Sequence, residues 1–547
     1  MSNLRQTIAS ELKIASCDSQ LQQNDLATLF IMGVGLHQRG QLAQAKAIYE
    51  QLLAAHPSHF DALHLLGVVA YQANNFKLAL DLIGKALEIV PNYATAHFHH
   101  GNALKQLLQL EEAVISYGRA ISINPNFVEA YYNQGLTLQG LKRPEESLVS
   151  FDNAIAIKPD FAEAYSDRGN TLKDLNRLEE AISSYDQAIA IKPDFAAAHY
   201  NSGNVLHELN RIEEAIICYD RAISIKPDYV QAHLHKSLAL LLVGEFRLGW
   251  KLYEWRWKLE PFTSSMRNFP RPCWLGAEDI SGKTVLLHAE QGFGDTIQFC
   301  RYVKLVKALG ACTVLEVPKA LAGLLNGLEG VDTVIEEGQP LPMFDFHCPL
   351  LSLPLALRTE VHSIPSPTPY LSLASGRTRA WARKLGEKKA LRVGLAWSGR
   401  ATHKNDGKRS LTLAELLPYL PEEYEYFSLQ NEVRPADNPL LNMSGIRNYG
   451  EELKDFADTA AICSLMDLVI SVDTSVAHLA GAIGRTTWVL LPYAPDWRWL
   501  LNRNDCPWYD SVRLYRQPDD MRWDAVLEQV AYDLMHLSNQ MFRLTHK

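Results

Sequence analysis

The chain has 547 residues, 47% of them apolar, with a formal net charge of -9 and eight cysteines. Domains run to roughly 100–200 residues, so this length calls for more than one. A modest acidic balance without any Lys/Arg run argues against nucleic acid as a partner. Scattered cysteines with no C-x-x-C pair read as reduced thiols of a cytoplasmic protein rather than as a disulfide framework.

The first residues, Met1-Ser2-Asn3-Leu4-Arg5, lack the apolar core of a signal peptide. The greasiest run nearby, Ala239–Val243, is far too short to cross a bilayer, so no membrane span is expected. Residues 1–27 are expected to form a helical cap, and a repeat follows. Prolines stand at Pro57, Pro91, Pro125, Pro159, Pro193 and Pro227, each 34 residues after the last. Glycines keep the same interval at Gly33, Gly67, Gly101, Gly135, Gly169 and Gly203, and small residues do so at Ala45, Ala79, Ala113, Ser147, Ala181 and Ala215. This period resembles the tetratricopeptide repeat, a helix–turn–helix unit. It predicts an all-α superhelix over 28–258, made of six repeats and a partial seventh.

Each position has a physical reason. Proline cannot continue a helix, because it lacks an N–H and clashes with the preceding turn. Ser58, Asn92, Asn126, Asp160, Asp194 and Asp228 follow the prolines and are expected as N-caps, with Glu129, Glu163 and Gln231 completing capping boxes. The last unit carries Ser237 at the glycine position and ends in Tyr253-Glu254-Trp255-Arg256-Trp257, a cap against whatever follows. Beside the glycines runs a polar ladder of His99, Asn133, Asp167 and Asn201, with Asn102, Asn170 and Asn204 opposite. Side chains at this spacing either hold the backbone of an extended peptide or tie neighbouring repeats together. Groove exposure is expected for Asn133, Asp167 and Asn201, which makes them candidate contacts to a protein or peptide acceptor, and repeat-to-repeat bonding for Asn102, Asn170 and Asn204.

Residues 259–282 contain Pro261, Pro270 and Pro272 and read as a linker. Strand-like and helical stretches then alternate, which predicts two parallel-sheet α/β domains, 283–375 and 390–547, facing a cleft. Strands are expected at Thr284–His288, Thr313–Val317, Asp332–Ile335 and Phe344–Cys348. A second series follows at Arg392–Trp397, Tyr424–Leu429, Leu468–Val472, Thr487–Leu491 and Val512–Tyr515, closed by a helix from Trp523 to Leu537.

Three stretches carry candidate chemistry. After the first strand, Gly292 and Gly294 let the backbone approach a ligand and a helix starts near Asp295, which is either a plain N-cap or a functional carboxylate. After Leu468–Val472, Asp473, Thr474 and Ser475 open another helix. Its N–H groups and dipole favour a diphosphate, and Asp473 suits sugar hydroxyls; the alternative is an ordinary cap with His478 packed inside. Ser398 and Gly399 form a turn after Arg392–Trp397, with Lys408 and Arg409 placed to neutralise a diphosphate. Gln430 and Asp458 are expected near a nucleoside by position alone. No Asp-x-Asp, phosphate-binding P-loop, G-x-G-x-x-G, H-E-x-x-H or G-x-S-x-G motif occurs. Triphosphate hydrolysis, dinucleotide redox chemistry, zinc proteolysis and esterase chemistry are therefore disfavoured.

Glu290–Asp295, Ser398-Gly399 and Ser471–Gly481 resemble the heptosyltransferase-like glycosyltransferases (family nine), of GT-B fold, over roughly residues 279–540. Repeats ahead of such a half are similar in architecture to bacterial O-linked N-acetylglucosamine transferase-like proteins. The resemblance implies Asp295 as general base, a donor held by Asp473, Thr474 and His478 with Lys408 at its phosphates, no metal and no cofactor. It implies inverting transfer of a hexosyl- or heptosyl-type sugar from a nucleotide-diphosphate donor to a protein hydroxyl. A surface polysaccharide or lipid-linked glycan as acceptor, and a repeat scaffold with an inactive GT-B half, are the rival readings.

Overall fold

The computed structural model describes residues 26–260, 266–366, 369–402 and 406–545, with side chains to 537. The expected cap at 1–27 lies outside these residues except for its last two. The chain falls into two compact units, Met1–Val205 and Leu206–Lys547.

The first unit is a series of antiparallel helix pairs, among them Phe60–Gln72 with Phe76–Ile89, Ala94–Gln106 with Leu110–Ile123, Val128–Gly140 with Pro144–Ile157, and Ala162–Asp174 with Leu178–Ile191. The glycine interval reports close contact between the helices of a pair. A Cβ on Gly101 would lie 2.7 Å from the Tyr117 ring, on Gly135 2.8 Å from Phe151, and on Gly169 2.6 Å from Tyr185. Those rings are fully buried, and overpacking such a contact costs about 1–3 kcal/mol.

A second interval escaped the sequence reading. Gly40, Asn74, Leu108, Lys142 and Asn176 all have positive φ, between 56° and 74°. Each lies in the turn inside a pair, and the next residue's N–H reaches back across the helix end: Asn75 to the Ala70 carbonyl (2.8 Å), Gln109 to Leu104 (3.0 Å), Arg143 to Leu138 (3.0 Å) and Arg177 to Leu172 (2.8 Å). That is the left-handed helix stop.

The expected caps are corrected by one residue. The N-cap positions are His59, Tyr93, Phe127, Phe161 and Tyr229, not the polar residues before them. Of these, only the His59 side chain accepts a cap bond, from Ala62 N–H. Packing outweighs capping: Phe127 lies 4.9 Å from Phe98 and Phe161 lies 4.8 Å from Tyr132, while Lys158 rests over the Phe161 ring at 4.9 Å.

The second unit begins with the end of the repeats. Val230–Leu242 pairs with Phe246–Tyr253, and a 3₁₀ turn follows at Glu254–Lys258. Ser237, at the glycine position, donates to the Gly249 carbonyl (2.9 Å). The boundary between units thus falls inside the array, because Trp250, Tyr253 and Arg256 are buried in the second unit. The linker is partly tied down as well: the backbone at Cys273 forms an isolated parallel β-bridge with His347, and Trp274 N–H donates to the His347 carbonyl at 2.8 Å.

Two parallel sheets follow. The first holds β1 (Thr284–His288), β2 (Cys312–Val317), β3 (Thr333–Glu336) and β4 (Phe346–Pro349) in the order β3-β2-β1-β4. The second holds β5 (Arg392–Ala396), β6 (Glu425–Ser428), β7 (Arg447–Asn448), β8 (Leu468–Val472), β9 (Thr487–Leu491) and β10 (Val512–Arg516) in the order β10-β9-β8-β5-β6-β7. All nine expected strands are present within two residues, and the short β7 is an addition. Strands β5, β8 and β9 are buried along their whole length, as parallel strands covered on both faces are. The order reverses beside β1 in one sheet and between β5 and β8 in the other. Ligands of α/β sheets collect at such switch points, beyond the carboxyl ends of the strands. No helix among the described residues is long and apolar enough to cross a membrane, and the seven cysteines there are all unbridged.

Candidate active site

The loop leaving β1 runs through Glu290, Gln291 and Gly292 into the short helix Phe293–Phe299. Gly292 is the N-cap, and Asp295 stands at the third helical position, from where its side chain reaches back to cap the helix start. Its Oδ2 accepts the Gly292 N–H (2.9 Å). Its Oδ1 pairs with Arg498, a residue 203 positions away that sequence reasoning missed. Arg498 also bonds Asp496 (2.8 Å) and donates from Nε to Gln298 Oε1 (2.9 Å). Burial alone would lower the Arg498 pKa, but the carboxylates of Asp496 and Asp295 carry it above its ordinary value. The Asp295 side chain keeps 20% of its surface exposed, which leaves it reachable.

The loop leaving β8 supplies the opposite wall. Thr474 is the N-cap of Ser475–Ala482, and no side chain caps that helix; its Ala477 N–H donates to the Thr474 carbonyl (3.1 Å). Asp473 Oδ1 lies 4.0 Å from His478 Nε2. Burial first, and Asp496 second, push the Asp473 carboxyl up to about 6. His478 stacks on Trp499 at 5.2 Å, and its Nδ1 shares a 3.0 Å hydrogen bond with the Tyr509 hydroxyl. Burial, then Arg498, Arg301 and Arg409, hold it well below the usual imidazole value, so it is neutral at pH 7. The core-packing reading of His478 and the site reading therefore meet in one residue. Gly294 makes the decisive contact: a Cβ there would lie 3.0 Å from His478 and 3.5 Å from the Ser475 Cα. The two motifs, one from each sheet, touch through that glycine.

A third loop leaves β5. Gln430 Oε1 accepts from the N–H groups of Trp397 (2.8 Å) and Ser398 (2.9 Å), and Gly399 N–H donates to Ser410 Oγ (2.9 Å). Gly399 lacks a side chain where Arg409 passes, since a Cβ would be 2.5 Å from its Nη2. Arg409 Nη1 then donates to the Asp473 carbonyl (2.8 Å), which brings a cation to the Asp473–Ser475 loop. Lys408 does not follow it; its largely exposed side chain pairs with Glu208 of the last repeats. Asp458 is also engaged elsewhere. It accepts from Trp381 Nε1 and Lys454 N–H (3.2 Å each) and pairs with Arg377 (3.2 Å), fastening Ser375–Leu385 to Phe456–Ser464.

Arg498 and Asp496 had a legible signal. They follow β9, whose carboxyl end lies beside that of β8 in a parallel sheet, but no familiar motif marked them. At the start of the first loop the Glu290 side chain is buried, and burial followed by the Asp295 charge pushes its carboxyl up to about 7, against the pull of Arg256.

In the repeats, Asn133 donates to Asn102 (3.2 Å) and Asn201 to Asn170 (3.0 Å), while Tyr117 and Tyr185 donate to the same two acceptors (2.8 Å each). Asp167 accepts from Tyr132 (2.8 Å) and Asn170 (3.3 Å). Asn133, Asp167 and Asn201 are half-buried and join successive repeats, the role expected for Asn102 and Asn170.

Tetratricopeptide-repeat profiles match residues 10–59, 35–94 and 128–161, and a TPR-repeat profile matches 101–142, 169–210 and 203–244. A tetratricopeptide repeat array lies within the first ~250 residues, an architecture that supports a protein-binding scaffold, and an α/β region follows. Protein FlbA of Caulobacter vibrioides is 26% identical over 324 residues, covering 54% of this chain and 53% of FlbA. The chain thus spans about half the length of that relative. Among solved structures, the TPR protein YrrB is 25% identical over 35% of this chain and 98% of its own, with a TM-score of 0.32. MamA is 23% identical over 29% and 94%, with a TM-score of 0.29. PilF of Pseudomonas aeruginosa is 20% identical over 39% and 96%, with a TM-score of 0.35.

Proposed function

We propose that the chain is an inverting, metal-independent glycosyltransferase of GT-B type, moving a sugar from a nucleotide-diphosphate donor to a hydroxyl on a protein bound by the repeats. The observation that carries this reading is the meeting of Gly294 with His478, which sets Asp295 of one sheet against the Asp473–His478 motif of the other. The acceptor oxygen attacks the anomeric carbon and gives its proton to Asp295. The bond from that carbon to the diphosphate breaks, its electron pair leaves with the nucleotide, and the configuration inverts. Arg498 and the Gly292 N–H fix the carboxylate's orientation. The open end of Ser475–Ala482, with Arg409 beside it, meets the diphosphate charge, and Asp473 faces sugar hydroxyls.

One observation favours a second reading, a repeat scaffold whose α/β half does not turn over: both Asp295 oxygens already hold partners, Gly292 and Arg498. A thermal-shift screen of nucleotide sugars against the full chain separates the two. A donor at 100 times its Kd stabilises by about 2.7 kcal/mol, which raises the melting temperature measurably. A screen in which no donor moves the transition favours the scaffold.

A further inference from the structure

The last repeat does more than close the array. Its Tyr253-Glu254-Trp255-Arg256-Trp257 end is built into both walls of the candidate site. On the β1 side, Tyr253 OH accepts from Gln291 Nε2 (2.9 Å), and Arg256 Nη2 reaches Glu290 Oε1 (3.3 Å). Gln291 and Glu290 are the residues just ahead of the Gly292–Asp295 turn. Arg256 is wholly buried, as is Glu290 apart from 2% of its side chain. Arg256 also donates to Glu254 (2.7 Å) and Ser352 (2.8 Å), and Ser352 donates back to Glu254 (2.9 Å). Its guanidinium lies 4.6 Å over the Tyr253 ring and 4.5 Å over Trp257. On the other side, Trp250 meets Trp497 edge-on at 5.2 Å, and Tyr253 meets it at 6.4 Å. Trp497 is the neighbour of Arg498, whose guanidinium rests on that ring at 4.2 Å.

Both members of the Asp295–Arg498 pair are therefore held from behind by one hairpin. A surface cap would need none of this. Burying a guanidinium with the Glu290 carboxylate is costly, and Arg256 Nε and Glu290 Oε2 make no hydrogen bond among the described residues, so the cluster is better suited to fixing one arrangement than to adding stability.

We propose that the terminal repeat is a brace between the two sheets, and that Tyr253 and Arg256 are positioning residues for Asp295 and Arg498. The brace sets the depth and direction of the Glu290–Asp295 loop relative to Asp473 and His478. Its effect on turnover rests on the glycosyltransferase reading above; its effect on the loop does not.

Hydrogen exchange measured by mass spectrometry on full-length Tyr253→Phe and Arg256→Lys tests it. Tyr253→Phe removes one hydroxyl and keeps the ring, so it remains informative if Arg256→Lys fails to fold. The brace predicts exchange at least ~10-fold faster in peptides spanning 289–299 and 493–500, with peptides over β8 and β9 unchanged. Unchanged exchange in the two loops overturns it. So does a uniform rise across every peptide, which would make these residues general stabilisers. Where a donor is turned over, kcat should fall at least ~10-fold in Arg256→Lys with donor KM within ~2-fold, whereas a KM effect alone counts against positioning. If no donor is turned over by the unaltered chain, the enzyme reading fails and the exchange result still decides the brace.

Discussion

Leu108 is a leucine in left-handed backbone, with φ of 61° and 81% of its surface exposed. That conformation costs a side-chain-bearing residue roughly 1–2 kcal/mol, and here no burial offsets it. Gly40 and Gly244 stand at the equivalent position of other repeats. Leu108→Gly should therefore stabilise the array by about 0.5–1 kcal/mol after glycine's greater unfolded-state entropy is set against it. Urea unfolding followed by helical circular dichroism checks this, and a lower midpoint would contradict it. The same scale shows where sequence reasoning stops. Arg409 and Lys408 are adjacent and chemically alike, and a spacing argument cannot choose between them. The fold does: Gly399 opens a path for Arg409 to the Asp473 carbonyl, while Lys408 turns to Glu208.

At the scale of elements, the helices of the second and third repeats carry a histidine cluster in which His64 is buried and His99 and His100 are half-buried. His64 Nε2 and His99 Nδ1 share a 2.9 Å hydrogen bond, and His100 Nδ1 meets Ser116 Oγ at 3.0 Å. Burial lowers all three to about 4, helped by His99 acting on His64, by His37 on His99, and by His97 and Arg119 on His100. The unfolded chain keeps them near 6.5, so between pH 6.5 and 4 it binds more protons than the folded array does. The stability these neutral imidazoles confer is present above pH 6.5 and is lost as pH falls towards 4. Limited proteolysis should find the stretch from His64 to Ser116 resistant at pH 7.5 and cleaved at pH 5, whereas His64→Phe with His99→Leu should remove most of that difference. Equal resistance of the unaltered array at both pH values would contradict the assignment.

The same elements explain what was legible. The 34-residue interval revealed the repeats because Gly101, Gly135 and Gly169 each face a ring that tolerates no Cβ. Caps were misplaced by one residue because Phe127 and Phe161 gain more from ring packing than Asn126 and Asp160 gain from a hydrogen bond. The strands were readable as apolar runs, since β5, β8 and β9 are covered on both faces. For Arg498 only its place after β9 was readable, because nothing local to Trp497-Arg498-Trp499 reveals its partner Asp295 on another sheet.

At the scale of the whole second unit, three separated stretches converge where both sheets reverse their strand order. A hairpin of repeats is fixed behind the first of them and behind the Trp497–Arg498 turn. The repeat fold and the parallel α/β region are structural facts of the chain, and the central claim placed on them is sugar transfer with Asp295 as base. Release of nucleoside diphosphate from a panel of nucleotide sugars tests that claim most directly, measured for the unaltered chain and for Asp295→Asn beside calorimetric donor binding. General-base catalysis contributes roughly 10²–10⁴-fold. One donor should therefore be turned over by the unaltered chain and at least ~100-fold more slowly by Asp295→Asn, with donor Kd within ~3-fold. Equal turnover by the two proteins, or no donor bound by either, would contradict the account.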